Sequence, residues 1–385
     1  MELDVKAVSG INTPLYVRVT DVPPHAPVRI AVSTVDAYQQ PWSTEQVFHA
    51  DADGVVDLAN TLPESAQWEP AHSLGILWSM RPDSSGLGED DANYFELNGL
   101  APVHLNFRVR IRGEGLGSLL MRTIARNVVE FDAPCGPAFH PTTPTSGASQ
   151  HPGVVLLSHA PAATDSASAA ALAHHGFAVL FARTWPTVDE LRQFHAHEFV
   201  DSRVPLALVA HGRACVGAFE VAEAYPEFVG PVVAHSPCSR RFPDPTRAEF
   251  RRSQLTGKPA DLWGFYADQR DAAPRIEVSR LAGPLLLTSG TEDAVWDAQG
   301  MAGELAAASE SRGVETFHVS YEGAGHACGY PFAFPGLPTS LNVRDHGHRI
   351  RVGGSIDANG RAAEVSRQQV ISFLASFYDM PVTTL

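Results

Sequence analysis

In several short runs over the first 112 residues, apolar and polar positions alternate. Leu15 to Thr20 alternates, Val28 to Ser33 alternates, and Val103-His-Leu-Asn-Phe-Arg-Val-Arg-Ile111 does so without a break. A period of two sets one face of a strand on a core and the other in water. Turn-forming clusters separate these runs: Pro23-Pro24, Asp51-Ala-Asp-Gly54 and Pro82-Asp-Ser-Ser-Gly86. Short strands at this spacing predict an antiparallel β-sandwich of the immunoglobulin-like kind over residues 1–112. Residues 113–127 read as a connecting segment, and no catalytic motif precedes them.

The rhythm changes after residue 128, and from Gly153 the strands become continuously apolar. Val154-Val-Leu-Leu157, Ala178-Val-Leu-Phe-Ala182, Leu206-Ala-Leu-Val-Ala210 and Pro284-Leu-Leu-Leu-Thr288 carry no charge. Such runs belong to strands covered on both faces. Helical stretches lie between and after them, at Ala167 to His174, Thr187 to Phe199, Cys215 to Ala224 and Glu364 to Phe377. Strand alternating with helix predicts an α/β domain with a mostly parallel sheet over residues 128–385. Residues 135–152, rich in Pro, Thr, Ser and Gly, read as a loop.

The strand ending at Ala210 runs into Ala210-His-Gly-Arg-Ala214 and then a helix. Strand, tight small-residue turn and helix is the setting of a nucleophile elbow, in which one side chain is presented above the sheet. With Ala210 and Ala214 as the small flanks, the nucleophile seat falls on Gly212, which has no side chain to attack with. Sliding the register makes Cys215 the nucleophile, at the cost of Arg213 as a bulky flank. An acid and a histidine follow in the order such sites use. Asp293 stands in the loop after the strand Pro284 to Thr288, and His326 in the loop after the strand Val314 to Val319. The carboxylate would fix the imidazole tautomer and leave the other nitrogen facing the elbow. The amide of Arg213 and that of Ala160, in the loop Ser158-His-Ala-Pro161, are the candidate oxyanion donors.

These residues resemble the acyl-CoA thioesterase and bile-acid-CoA:amino-acid N-acyltransferase family over nearly the whole chain. The resemblance runs through Pro41-Trp42-Ser43, Ala50-Asp51-Ala-Asp-Gly54, Gly75-Ile-Leu-Trp-Ser-Met80, Gly290-Thr-Glu-Asp293-Ala-Val-Trp296, Gly323-Ala-Gly325-His326, Gly353-Gly354 and Phe373-Leu-Ala-Ser-Phe377. It implies an α/β-hydrolase fold behind the β-sandwich, and it puts Asp293 and His326 in the places of the family's acid and base. It further implies a small-molecule acyl thioester, linked to CoA or to a carrier protein, as substrate. The departure is at Gly212, where the family has serine or cysteine. Three readings follow. The first is an acyl-thioester hydrolase or acyltransferase whose nucleophile has been removed. The second is a non-covalent enzyme in which His326, oriented by Asp293, works as a general base in a cyclase, lyase or condensing step. The third is a catalytically silent binding protein.

Composition narrows the partners. A formal charge of −15 disfavours nucleic acid and anionic membrane, both of which need a basic face. Lysine occurs only at Lys6 and Lys258, so the bases are almost all arginine, as in proteins of GC-rich bacteria. Cys135, Cys215, Cys238 and Cys328 are scattered and form no CxxC pair, which fits a reducing cytoplasm. No charged start with an apolar stretch precedes Gly10, and no run approaches the roughly 20 apolar residues of a membrane span. The paired histidines His195 and His197, and His346 and His348, are two residues apart and do not share a helix face. No metal site and no cofactor is expected.

Overall fold

The computed structural model describes residues 1–83, 94–142, 150–158, 162–183, 185–245, 250–251, 255–256, 258–345 and 348–381. The first region forms β1 (Glu2–Val5), β2 (Val8–Gly10), β3 (Val17–Thr20), β4 (Pro27–Val35), β5 (Pro41–His49) and β6 (Val56–Asp57), then the single-turn helix α1 (Gly75–Trp78), β7 (Arg81–Pro82), β8 (Val103–Ile111) and β9 (Glu114–Thr123). Six of these strands make a sheet in the order β2-β9-β8-β4-β5-β7, and β1-β3-β6 make the facing one. Along β8 every second residue is buried, from Val103 to Ile111. Those side chains meet Val17, Val19, Trp42 and Phe48 in one core.

The segment expected to connect the domains is part of this sandwich. Residues 114–123 pair with β8 along their whole length, from Ile111 opposite Glu114 to Val103 opposite Arg122. Arg112 and Gly113 have φ of 48° and 91°, so two residues of positive φ close the hairpin in the sense that matches strand twist. The strand Gly115-Leu-Gly-Ser-Leu-Leu120 hides this in sequence because its first half is exposed and its two glycines break the alternation.

The second region supplies β10 (Val128–Phe131), β11 (Ala138–Pro141), β12 (Gly153–Leu157), α2 (Ala162–Ala173), β13 (Ala178–Ala182), α3 (Val188–His195), β14 (Leu206–His211), α4 (Ala214–Ala224), β15 (Val229–His235), α5 (Trp263–Gln269), β16 (Leu285–Gly290), α6 (Ala298–Glu310), β17 (Thr316–Tyr321), the hairpin β18 (Asn342–Asp345) and β19 (His348–Arg351), and α7 (Ile356–Phe377). An eight-stranded sheet runs β10-β11-β13-β12-β14-β15-β16-β17. It is parallel from β13 onward, with β10 and β11 antiparallel at one edge. The stretch read as a loop therefore contains β11. Strands β12 to β16 are buried at every position but His211, because helices cover both faces. The carboxyl ends of β14, β15, β16 and β17 lie side by side in this order, and the elbow, the acid loop and the histidine loop leave from β14, β16 and β17.

The two regions share a core, and Trp78 is at its seam. Its indole Nε1–H donates to the Pro335 carbonyl at 2.7 Å, and the Arg361 guanidinium lies over its ring at 5.7 Å. The ring rests on Gly360 of α7, where an added Cβ would stand 2.4 Å from it. We expect Gly360→Ala to destabilise the protein despite alanine's helix preference of about 1 kcal/mol. Overpacking a site that cannot give costs about 1–3 kcal/mol, and Trp78 is wholly buried. A denaturant midpoint unchanged or raised by Gly360→Ala would contradict this.

Candidate active site

The elbow begins where β14 leaves the sheet. Gly212 has φ +61°, a conformation glycine adopts without steric cost. Its amide donates to the His235 carbonyl of β15 at 2.9 Å, and α4 starts two residues on. A Cβ built on Gly212 would lie 3.1 Å from His326 Nε2, 3.7 Å from His326 Cε1 and 3.9 Å from Trp296 Cη2. The turn thus aims position 212 at the histidine, and the chain puts no atom there.

The acid and histidine loops come together across 33 residues of sequence. His326 Nδ1 is 2.7 Å from Asp293 Oδ2, and both side chains are buried. The other carboxylate oxygen accepts the amides of Val295 at 2.8 Å and Trp296 at 3.2 Å. The Asp293 carboxylate is therefore fixed in its own turn before it meets the imidazole. No described residue hydrogen-bonds His326 Nε2, which faces the seat. The His326 carbonyl accepts from Ser236 Oγ at 2.8 Å and from His211 Nε2 at 3.0 Å.

One short segment joins the two loops. The Val352 carbonyl accepts both the His326 amide at 2.8 Å and the Ala294 amide at 3.3 Å, and Gly354 donates to the Glu292 carbonyl at 3.1 Å. Gly353 and Gly354 have φ of 80° and 78°, and an added Cβ on either would strike backbone nearby. Asn359 of α7 accepts the Gly325 amide at 2.7 Å and donates to the Gly353 carbonyl at 3.1 Å. The glycine pair was legible in sequence; the roles of Val352 and Asn359 were not.

The remaining candidates fall as follows. Cys215 is wholly buried on α4 among Ala214, Ala218 and Phe219, with Sγ on the His235 carbonyl at 3.5 Å. Burial pushes its thiol well above the usual cysteine range, so it supplies little thiolate. The structure does not bring it to His326. Arg213 follows the seat and opens α4, its guanidinium paired with Asp244. Ala160 lies outside the described residues. Of the paired histidines, His195 bonds the Val204 carbonyl at 2.8 Å, His197 packs on Phe131, and His348 stacks on Phe250 at 4.2 Å. His346 lies outside the described residues. Among the described residues no group of three His, Cys, Asp or Glu side chains could hold a metal, and no helix is long and apolar enough to cross a membrane.

Beneath the elbow, His235 braces three strands' ends. Its Nε2 is 2.8 Å from the Tyr330 carbonyl and its Nδ1 2.7 Å from Thr288 Oγ1. The carbonyl can only accept, so Nε2 carries the proton and Nδ1 takes the threonine hydroxyl. Burial drives its pKa down to about 4 from 6.5. The folded state therefore favours the neutral ring. The stability this contributes is present above pH 6.5 and is lost as pH falls toward 4, by about 3 kcal/mol at 1.36 kcal/mol per unit. We expect the thermal midpoint to drop across that window and the drop to shrink in His235→Gln. Equal slopes for both proteins would sink this assignment.

A mostly parallel sheet with a strand–turn–helix elbow, followed in order by an acid and a histidine loop, is the architecture of an α/β-hydrolase. The family is defined by the sequence at both ends: residues 12–130 match the acyl-CoA thioester hydrolase/BAAT N-terminal region, and residues 259–378 match the BAAT/acyl-CoA thioester hydrolase C-terminal region. The chain belongs to this family of acyl-CoA thioester hydrolases and bile-acid-CoA:amino-acid N-acyltransferases, and it is an enzyme of that acyl-processing kind. The elbow lies between the two matched stretches. Among solved structures, the chain is similar to a Paleococcus ferrophilus monoacylglycerol lipase at 16% identity and TM-score 0.32, over 52% of this chain and 90% of that one. It is also similar to Est1E from Butyrivibrio proteoclasticus at 12% identity and TM-score 0.33, over 52% and 90%. An acylaminoacyl peptidase aligns over 97% of this chain and 67% of its own, at 9% identity and TM-score 0.39. No curated protein sequence matches the chain.

Proposed function

We propose that this enzyme cleaves or transfers the acyl group of a small-molecule thioester without an acyl-enzyme intermediate. His326 acts as the general base, Asp293 holds its tautomer, and the attacking group is water or an acceptor that stands over Gly212. The observation that carries this is the geometry at position 212. A base with its orienting acid in place faces, within hydrogen-bonding distance, a point where the chain supplies no side chain.

The chemistry follows from that arrangement. Nδ1 of His326 keeps its proton on Asp293, so Nε2 is left as the lone-pair nitrogen. It takes the proton of the incoming nucleophile as the new bond to the thioester carbonyl forms. The proton then passes to the departing thiolate as the carbon–sulfur bond breaks. The Arg213 amide, next to the seat at the start of α4, is the candidate donor to the developing oxyanion, with Ala160 as the second. Direct attack explains why a glycine can serve here: its missing side chain is the room the nucleophile needs. Cys215 is left out because its sulfur is turned into the core.

The test is turnover of acyl thioesters, offered both as CoA and as carrier-linked substrates, with the protein mass followed during reaction. The expected result is product release with no acyl adduct on the protein. An adduct on any residue would replace this mechanism by a covalent one.

A further inference from the structure

Trp296 borders the seat, and among the described residues its indole nitrogen has no hydrogen-bond partner. The ring stands edge-on to His326, with centroids 4.7 Å apart at 87°, and presents Cη2 to the point over Gly212. Its other side enters an apolar cluster that includes Phe242, Leu262, Tyr266 and Ile350. Phe242 stacks on the ring at 6.4 Å and Tyr266 meets it edge-on at 5.0 Å. The residue is almost wholly buried, and Nε1 has no hydrogen-bond partner among the described residues.

An indole N–H in an apolar surrounding is costly to bury unpaired, and a buried donor normally finds an acceptor. Trp68 carries a second orphaned indole nitrogen, but its ring lies against Gly75 of α1. Trp296 differs by touching the catalytic histidine. Its backbone amide is held by Asp293, the same carboxylate that orients His326. The ring that carries the donor is therefore held through the same carboxylate as the base, with its Cη2 against the seat.

We propose that the Trp296 indole N–H is a substrate-binding donor, and that the preferred acyl group carries an oxygen acceptor, a carbonyl or hydroxyl, a few bonds from its thioester. This rests on the acyl-thioester reading above. Under this proposal the acyl group, with its reacting carbonyl over Gly212, runs along the indole toward the cluster that surrounds it. An oxygen on that path would meet the donor. An unsubstituted chain would leave it unpaired, and a site built to hydrogen-bond a substrate oxygen discriminates against the analogue that lacks it.

The probes are the non-hydrolysable amide analogues of 3-oxooctanoyl- and octanoyl-N-acetylcysteamine. The expected result is a downfield shift of the Trp296 indole proton resonance, assigned by Trp296→Phe, with the 3-oxo analogue alone. A neutral hydrogen bond of this kind corresponds to roughly tenfold tighter binding. Replacing Trp296 by 3-benzothienylalanine preserves the ring's shape and removes the donor, so the tenfold preference should vanish. Equal binding of both analogues, binding of neither, or a preference that survives the benzothienyl replacement overturns the proposal. Turnover of the parent thioesters is measured separately. If neither thioester turns over while the binding preference holds, the reaction assignment fails and the donor assignment stands.

Discussion

Asp293→Asn and His326→Ala each lower acyl-thioester turnover by about 10²–10⁴-fold, the range over which a positioned general base contributes. His326→Ala removes the ring nitrogen that faces the seat. Asp293→Asn keeps the shape of the acid loop, since the amide oxygen can still accept from Val295 and Trp296. What it changes is the side facing His326: the amide nitrogen donates where the carboxylate accepted. The imidazole must then present a lone pair at Nδ1 and carry its proton at Nε2, the wrong tautomer for a base. Circular dichroism and thermal midpoints would show that both variants remain folded. Turnover within a few-fold of the native protein for either one would remove the pair from the chemistry and put the reaction's base elsewhere.

The second large effect is at the seat itself. Gly212→Ser should create a reactive nucleophile where none exists, seen as labelling by a fluorophosphonate that leaves the native protein unmarked. The contrast should span several orders of magnitude, because a triad without its nucleophile loses nearly all covalent reactivity. Two costs accompany it. A side chain at φ +61° is strained, by about 1–3 kcal/mol, and its Cβ would stand 3.1 Å from Nε2. His326 cannot easily give way, because its amide, carbonyl and Nδ1 are all engaged. The variant should therefore be less stable yet more reactive. Under direct attack, the serine occupies the external nucleophile's place, and steady turnover gives way to a burst of acyl-enzyme. If instead the variant turns thioesters over far faster than the native protein, position 212 is a vacated nucleophile seat and the native chain does not use direct attack. No labelling of the variant would show that the elbow does not present position 212 to His326.

Much of this arrangement was legible in the chain because the responsible signals are local. The unbroken alternation of Val103 to Ile111 allows a strand with one wet face and little else, and it forms β8 at those bounds. The uncharged runs of β12 to β16 could be buried on both faces and are. The elbow, Asp293 and His326 were picked out by order and by their places just after strands, since a parallel sheet gathers the carboxyl ends of its strands at one edge. Where local signals conflicted, the reading failed. The glycines of β9 masked a strand that belongs to the sandwich through a two-residue turn at Arg112 and Gly113, and β11 was hidden in a stretch rich in turn formers.

The amino-acid order thus determined which loops carry Asp293, His326 and Gly212. It could not decide whether Gly212 or Cys215 faces the histidine, because that depends on the phase of α4 after a turn of positive φ. It could not assign the Val352 carbonyl to His326 and Ala294, or Asn359 to the turns at Gly325 and Gly353. Those bonds join segments up to 58 residues apart, and three of the four end on a backbone carbonyl, which has no sequence signature. The orientation of Trp296, with one edge on the seat and its N–H unpaired in an apolar cluster, is likewise set by what α5 and the hairpin of β18 and β19 place around it. Local periodicity reports burial. Only the packed fold, in which distant loops must share the same few hydrogen-bonding groups, fixes where a side chain points.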